Sequence, residues 1–156
     1  MIKKIKKFWL LNYEDKRLLL EAFFYLTLTR FLMLFLSFKG LTRGMNHSQS
    51  SNILLELSKL EQKEAIRVGR AVELISNYTP WHSSCLNQAL SVAKMLKRRD
   101  ISFSLFLGVA KDAIRGASIK AHAWIKCGSS IVIGGGNLED FVVVSTFYWE
   151  AKGKDL

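Results

Sequence analysis

Pro80 is the only proline in the chain, and it stands where the hydrophobic period changes. A proline ring cannot continue a helix and holds the preceding residue out of the α region. Asn77-Tyr78-Thr79-Pro80 therefore separates two differently patterned halves. Before it, apolar residues recur at helical spacing. Residues 14–38 read as one long helix closed by Lys39-Gly40, residues 42–52 as a polar loop, and residues 53–76 as a second helix with Ala65, Val68, Val72 and Ile75 on one side. After it, Ser83 or Ser84 can cap a helix carrying Leu86, Leu90, Ala93 and Leu96, which ends in the basic turn Lys97-Arg98-Arg99. Four extended segments follow, Phe103 to Val109, Ile119 to Cys127, Ser130 to Ile133 and Phe141 to Phe147, rich in Val, Ile and Phe. Gly128-Ser129 fits a two-residue hairpin turn, in a register that sets His122 opposite Gly135. The expected fold class is α+β: a helical N-terminal half, then a helix packed on an antiparallel sheet. Residues 1–52 are expected to be a helical docking region and residues 53–156 the functional core.

A length of 156 residues suits one domain with a real core. Lys and Arg outnumber Asp and Glu by 23 to 13, leaving a formal charge of +10 that favours an anionic partner. No zinc-finger spacing, aromatic RNA-binding signature or basic zipper accompanies that charge, so a solvated basic surface is expected and no nucleic-acid partner. Two cysteines, Cys85 and Cys127, are too few for a disulfide scaffold and fit a reducing cytoplasm. The start, Met1-Ile2-Lys3-Lys4-Ile5-Lys6-Lys7, resembles the basic end of a signal peptide, but the next apolar run, Phe8 to Leu11, is short and lacks a cleavage site. The run Leu18 to Ser37 approaches the length of a membrane span. Glu21 and Arg30 within it favour a helix buried among others, or one whose apolar side meets a partner protein or touches a membrane peripherally.

Chemistry concentrates on two residues. Cys85 falls in the first turn of the helix after Pro80, where unsatisfied N–H groups and the helix dipole favour a thiolate and can stabilise an oxyanion. Taken alone, it reads equally well as a small buried hydrophobe. His122 lies in Lys120-Ala121-His122-Ala123-Trp124-Ile125, an extended segment that puts Trp124 on its face. A helix-start cysteine followed 37 residues later by a strand histidine has the order of papain-like thiol enzymes. A zinc site from His82, Cys85, His122 and Cys127 is disfavoured, because residues 122 and 127 point to opposite faces of a strand. Asn137, Glu139 and Asp140 are available to orient an imidazole, each equally readable as a loop residue. Gly134-Gly135-Gly136 lacks the Gly-Lys-Ser/Thr of a phosphate loop and reads as a connection between strands. No metal or nucleotide motif is visible, so no cofactor is expected.

Trp81-His82-Ser83-Ser84-Cys85-Leu86-Asn87-Gln88-Ala89-Leu90, Leu107-Gly108-Val109 and Ala121-His122-Ala123-Trp124-Ile125, in that order, resemble the protease of lasso-peptide maturation. The likeness is to its split form without a leader-recognition module, within the transglutaminase-like superfamily, and it covers most of the chain. It implies a papain- or transglutaminase-like core, a cytoplasmic enzyme and removal of a leader from a ribosomally made precursor. Cys85 would be the nucleophile and His122 its base. The implied partners are the leader peptide, a separate leader-recognition protein and the lasso cyclase. The family's third member is an Asp twelve residues past the histidine; here that position is Gly134, so the role has passed to a neighbour, Asn137 or alternatively Asp140, or is vacant. Two rival functions fit the same residues: another thiol acyl-transfer enzyme, such as a transglutaminase or amidase, and a non-catalytic membrane-associated basic adaptor.

Overall fold

A computed structural model describes residues 12–49, 55–111 and 119–152. Its elements are α1 (Tyr13–Phe35), α2 (Phe38–Leu41), β1 (Asn46–Ser48), α3 (Lys59–Ser76), α4 (Cys85–Arg98), β2 (Phe103–Lys111), β3 (Ile119–Cys127), β4 (Ser130–Ile133), a 3-10 turn (Leu138–Asp140) and β5 (Val142–Trp149). The fold is α+β, with helices packed on a five-stranded antiparallel sheet of order β1-β5-β2-β3-β4.

Each main helix starts where a polar side chain takes up an orphan N–H. Asn12 accepts from Asp15 N at the head of α1, and Ser58 and Glu61 form a reciprocal capping box at α3. Ser84 accepts from Asn87 N at α4. The expected continuous helix over 14–38 is interrupted instead: Leu36 is extended, and Ser37 begins the separate short helix α2, with Gly40 inside it rather than after it. The expected loop over 42–52 contains β1, which lengthens the sheet by pairing with β5. Helix α3 begins at Lys59, later than the expected start at residue 53; residues 50–54 lie outside the described ones.

The core is one apolar cluster shared by helices and sheet. Leu18, Leu19, Ala22 and Leu26 of α1 meet Val68 and Val72 of α3, Leu90, Val92 and Leu96 of α4, and Leu105, Ala123, Ile125 and Cys127 of the strands. Only one face of α1 takes part. Leu20, Phe24, Phe31, Leu34 and Phe35 remain exposed on the other, and the hydroxyl of Thr27 among them donates to Phe23 O at 2.8 Å. By length and composition α1 is apolar enough to cross a membrane.

The sheet departs from the expected register at β4. Cys127 pairs with Ser130 and Lys126 with Ile131, but Ile125 pairs with Ile133, leaving Val132 as a bulge. The bulge is held by α3: a Cβ on Gly69 would stand 2.0 Å from Val132 O, so only glycine lets the helix seat there. Consequently β4 ends at Ile133, and among the described residues His122 has no strand partner on that side; the expected pairing with Gly135 is not formed.

Candidate active site

The turn that delivers Cys85 is tied down locally. Thr79 Oγ1 lies 2.9 Å from both Ser76 O and Trp81 O and 3.0 Å from Ser83 Oγ, and Gln88 Nε2 donates to Ser83 O at 3.0 Å. Cys85 is the first residue of α4, partly buried against the core. One turn on, a buried polar cluster anchors this end of the helix to α1. Thr29 Oγ1 donates to Asn87 Oδ1 and lies 2.7 Å from Ser91 Oγ, while Asn87 Nδ2 donates to Leu26 O. All three side-chain owners are fully buried, so each hydrogen bond replaces one to water that the core denies them.

The reversal after α4 brings His122 to the same end. Asp100 takes a left-handed conformation, φ 54°, and the Asp100 and Ile101 N–H groups donate to Lys97 O and Leu96 O. Strand β2 then runs back alongside α4, so its far end, Gly108 opposite His122, approaches the level of the helix N-terminus. Ala123 and Ile125 face the apolar core, and His122 and Trp124 share the other face of β3. The two rings stack with centroids 5.9 Å apart, and Phe141 lies 5.2 Å from the imidazole. Gly108 makes room for this: a Cβ there would stand 2.8 Å from the Trp124 ring.

His122 Nε2 is 2.8 Å from Gly134 O. Asn137 and Asp140 are exposed at either side of the 3-10 turn, and among the described residues neither bonds to the ring. Cys85 packs on the core side of the sheet and His122 lies on its other face, and among the described residues no hydrogen bond joins the two. His82 is exposed, and His47 lies on β1 with Nε2 2.9 Å from Ser145 Oγ. Cys127 is buried within the core, and burial pushes its thiol up to about 12. It is a packing residue held neutral.

A cleft of about 370 Å³ opens at the opposite end of α4, lined by Arg17, Glu21, Glu64, Arg67, Arg98 and Arg99. At 1.5 Å per residue, that is roughly 20 Å from Cys85. Its charges are largely spent on each other: Arg99 pairs with Glu21 at 2.7 Å and Glu64 at 3.2 Å, and Arg67 with Asp15 at 2.7 Å. Hydrogen bonding to Glu21 raises Arg99 above its ordinary range, against the opposing effect of burial.

Two features here leave little trace in sequence. The Thr29–Asn87–Ser91 cluster joins residues some 60 positions apart, and Gly134 acts through a main-chain atom. No curated protein and no solved structure matches the chain. A family model does, over residues 29–146, which include α4 with Cys85 and the strand bearing His122. The match spans about three quarters of the chain, and the protein belongs to the transglutaminase-like superfamily, whose members are generally cysteine proteases and transferases.

Proposed function

We propose that the protein is a cysteine leader peptidase acting on a lasso-peptide precursor, with Cys85 as nucleophile and His122 as base. The observation that carries this reading is a thiol at the start of α4 and a strand histidine held by a hydrogen bond, both within the matched family region. The His-Ala-Trp and Cys-Leu-Asn-Gln blocks supply the narrower resemblance. In the reaction, imidazole takes the thiol proton as Cys85 Sγ attacks the scissile carbonyl. Unpaired N–H groups of the first turn of α4 face the developing oxyanion. Collapse breaks the C–N bond, the imidazolium protonates the leaving amine, and water then hydrolyses the thioester to release leader and enzyme.

The exposed face of α1 supports a partner in this scheme. Leu20, Phe24, Phe31 and Phe35 form an apolar stripe suited to a separate leader-recognition protein, in a cytoplasm shared with the cyclase. The core of α1 is shared with α3 and α4, so this surface is tested by point changes rather than truncation. Phe24→Ser with Phe31→Ser should weaken partner binding tenfold or more, by loss of two anchors, with the far-ultraviolet spectrum unchanged.

The deciding experiment incubates the full chain with a candidate precursor and leader-binding partner and follows leader release by mass spectrometry. Wild type should cleave and Cys85→Ala should not. Cleavage by the alanine variant would sink the mechanism, while transfer of the acyl group to an added amine without hydrolysis would favour a transglutaminase.

A further inference from the structure

We infer that the main-chain carbonyl of Gly134 is the positioning group for His122, filling the place that an acidic side chain would take. The inference rests on the proposed Cys85–His122 chemistry. A carbonyl oxygen only accepts hydrogen bonds. At 2.8 Å, Nε2 must therefore carry the proton that it donates to Gly134 O. In the neutral ring this leaves the lone pair on Nδ1, which becomes the atom able to accept a proton. The bond also fixes the plane of the ring, together with Trp124 and Phe141 against it.

The backbone is built for this use of Gly134 and against a side chain there. Gly134 has φ +76°, and a Cβ would stand 2.5 Å from Ala123 O and 2.8 Å from Trp124 Cβ. No aspartate fits this backbone without moving β3 itself. The extra residue of the Val132 bulge advances β4 by one position just before Gly134. Gly69 of α3 packs on that bulge, so the carbonyl is positioned by the helix layer as well as by the strand. A neutral dipole sets the tautomer and orientation of the ring but stabilises an imidazolium less than a carboxylate does. Gly134 is thus a positioning residue.

The test is nitrogen-15 NMR of the histidine-labelled full chain, in wild type and Cys85→Ala. Above the titration of the ring, His122 should be entirely the Nε2–H tautomer, with that proton protected from solvent exchange. An Nδ1–H ring, or a mixed population with a freely exchanging proton, would overturn the assignment whether or not the protein cleaves anything. Loss of cleavage in Cys85→Ala tests the peptidase reading separately. Gly134→Ala should lower kcat by about 10- to 100-fold, the usual effect of losing an orienting partner, with KM nearly unchanged and the Nε2 proton exposed. Gly135→Ala is the control, since its Cβ would meet only Ile131 Cγ2 at 3.7 Å, and it should leave kcat and the tautomer as they are. Equal loss in both variants would show a general need for loop flexibility and refute the specific role. If Gly134→Ala does not fold, the wild-type tautomer and exchange rate still decide.

Discussion

The two ends of α4 are held in opposite ways. At the C-terminal end, Arg98 and Arg99 meet Glu21, and Arg99 reaches Glu64, across a polar cleft. At the N-terminal end, Asn87 and Ser91 meet Thr29 through neutral hydrogen bonds sealed in the core. Charge and concavity would direct attention to the first end, yet Cys85 sits at the second. The difference follows from what each end must do. Ion pairs near solvent fasten helices without precise geometry, whereas hydrogen bonds sealed in the core fix the backbone of the helix start that carries Cys85.

Exchanging one kind of fastening for the other gives the largest expected effect. Asn87→Asp keeps the shape of the side chain but loses the donor to Leu26 O and puts a carboxylate where nothing is exposed. An unpaired buried charge of this sort costs about 3 kcal/mol or more, beyond any help from the helix dipole. Urea unfolding at pH 7 should show it, and the deficit should shrink on acidification as the carboxyl is neutralised. A variant as stable as wild type would mean that this end tolerates charge and that the comparison is false. Arg99→Ala at the other end should cost about 2 kcal/mol, since Glu21 is only 14 % exposed and would keep the longer 3.6 Å contact with Arg98 alone. Activity per folded molecule should not change.

Sequence patterning made α4 legible because its signals are local: Ser84 as cap, apolar residues at helical spacing, and a basic last turn. Strands β2 and β3 were legible for the same reason. What escaped depended on distance or on the main chain. Glu21 counts in sequence as a charge that spoils an apolar run, and its partner Arg99 lies 78 positions away. Strand β1 is three polar-flanked residues that exist as a strand only because β5 offers an edge. The Val132 bulge has no residue signature, and it ends the register that would set His122 opposite Gly135; the His122 side chain instead bonds the carbonyl of Gly134. The triple glycine, read as a slack connection, instead holds one position that no side chain can occupy.

The two cysteines, one on β3 and one on α4, show a related contrast. Cys127 is buried and neutral, whereas Cys85 is partly accessible. Iodoacetamide should modify the native chain once, at Cys85, and reach Cys127 only on unfolding. Burial raises Cys127 to about 12 from 9.0, so the folded state resists a deprotonation that the unfolded chain undergoes. The stability this represents is fully present below pH 9 and is lost as pH rises from 9 through 12. By pH 10 the loss is about 1 kcal/mol. Cys127→Ala should flatten the alkaline limb of a plot of Tm against pH, after its own packing cost is subtracted. An unchanged slope would assign the alkaline loss to other groups.

The smallest effect belongs to the most conspicuous ion cluster. Arg67 lies within 4 Å of Glu14, Asp15 and Glu64, and the hydrogen bond to Asp15 raises it above its ordinary range. Its side chain is nevertheless 38 % exposed, with Glu14 at 80 %. Water and salt screen such pairs, and ordering the long side chains offsets most of the attraction. Arg67→Ala should therefore cost no more than about 0.5 kcal/mol in urea at low salt, and the difference should vanish in 1 M NaCl. Arg99→Ala should keep most of its cost under the same salt, because Glu21 is shielded. Equal salt sensitivity of the two variants would mean that the cleft end of α4 is fastened at its surface alone, and that only the Thr29–Asn87–Ser91 end is secured from within.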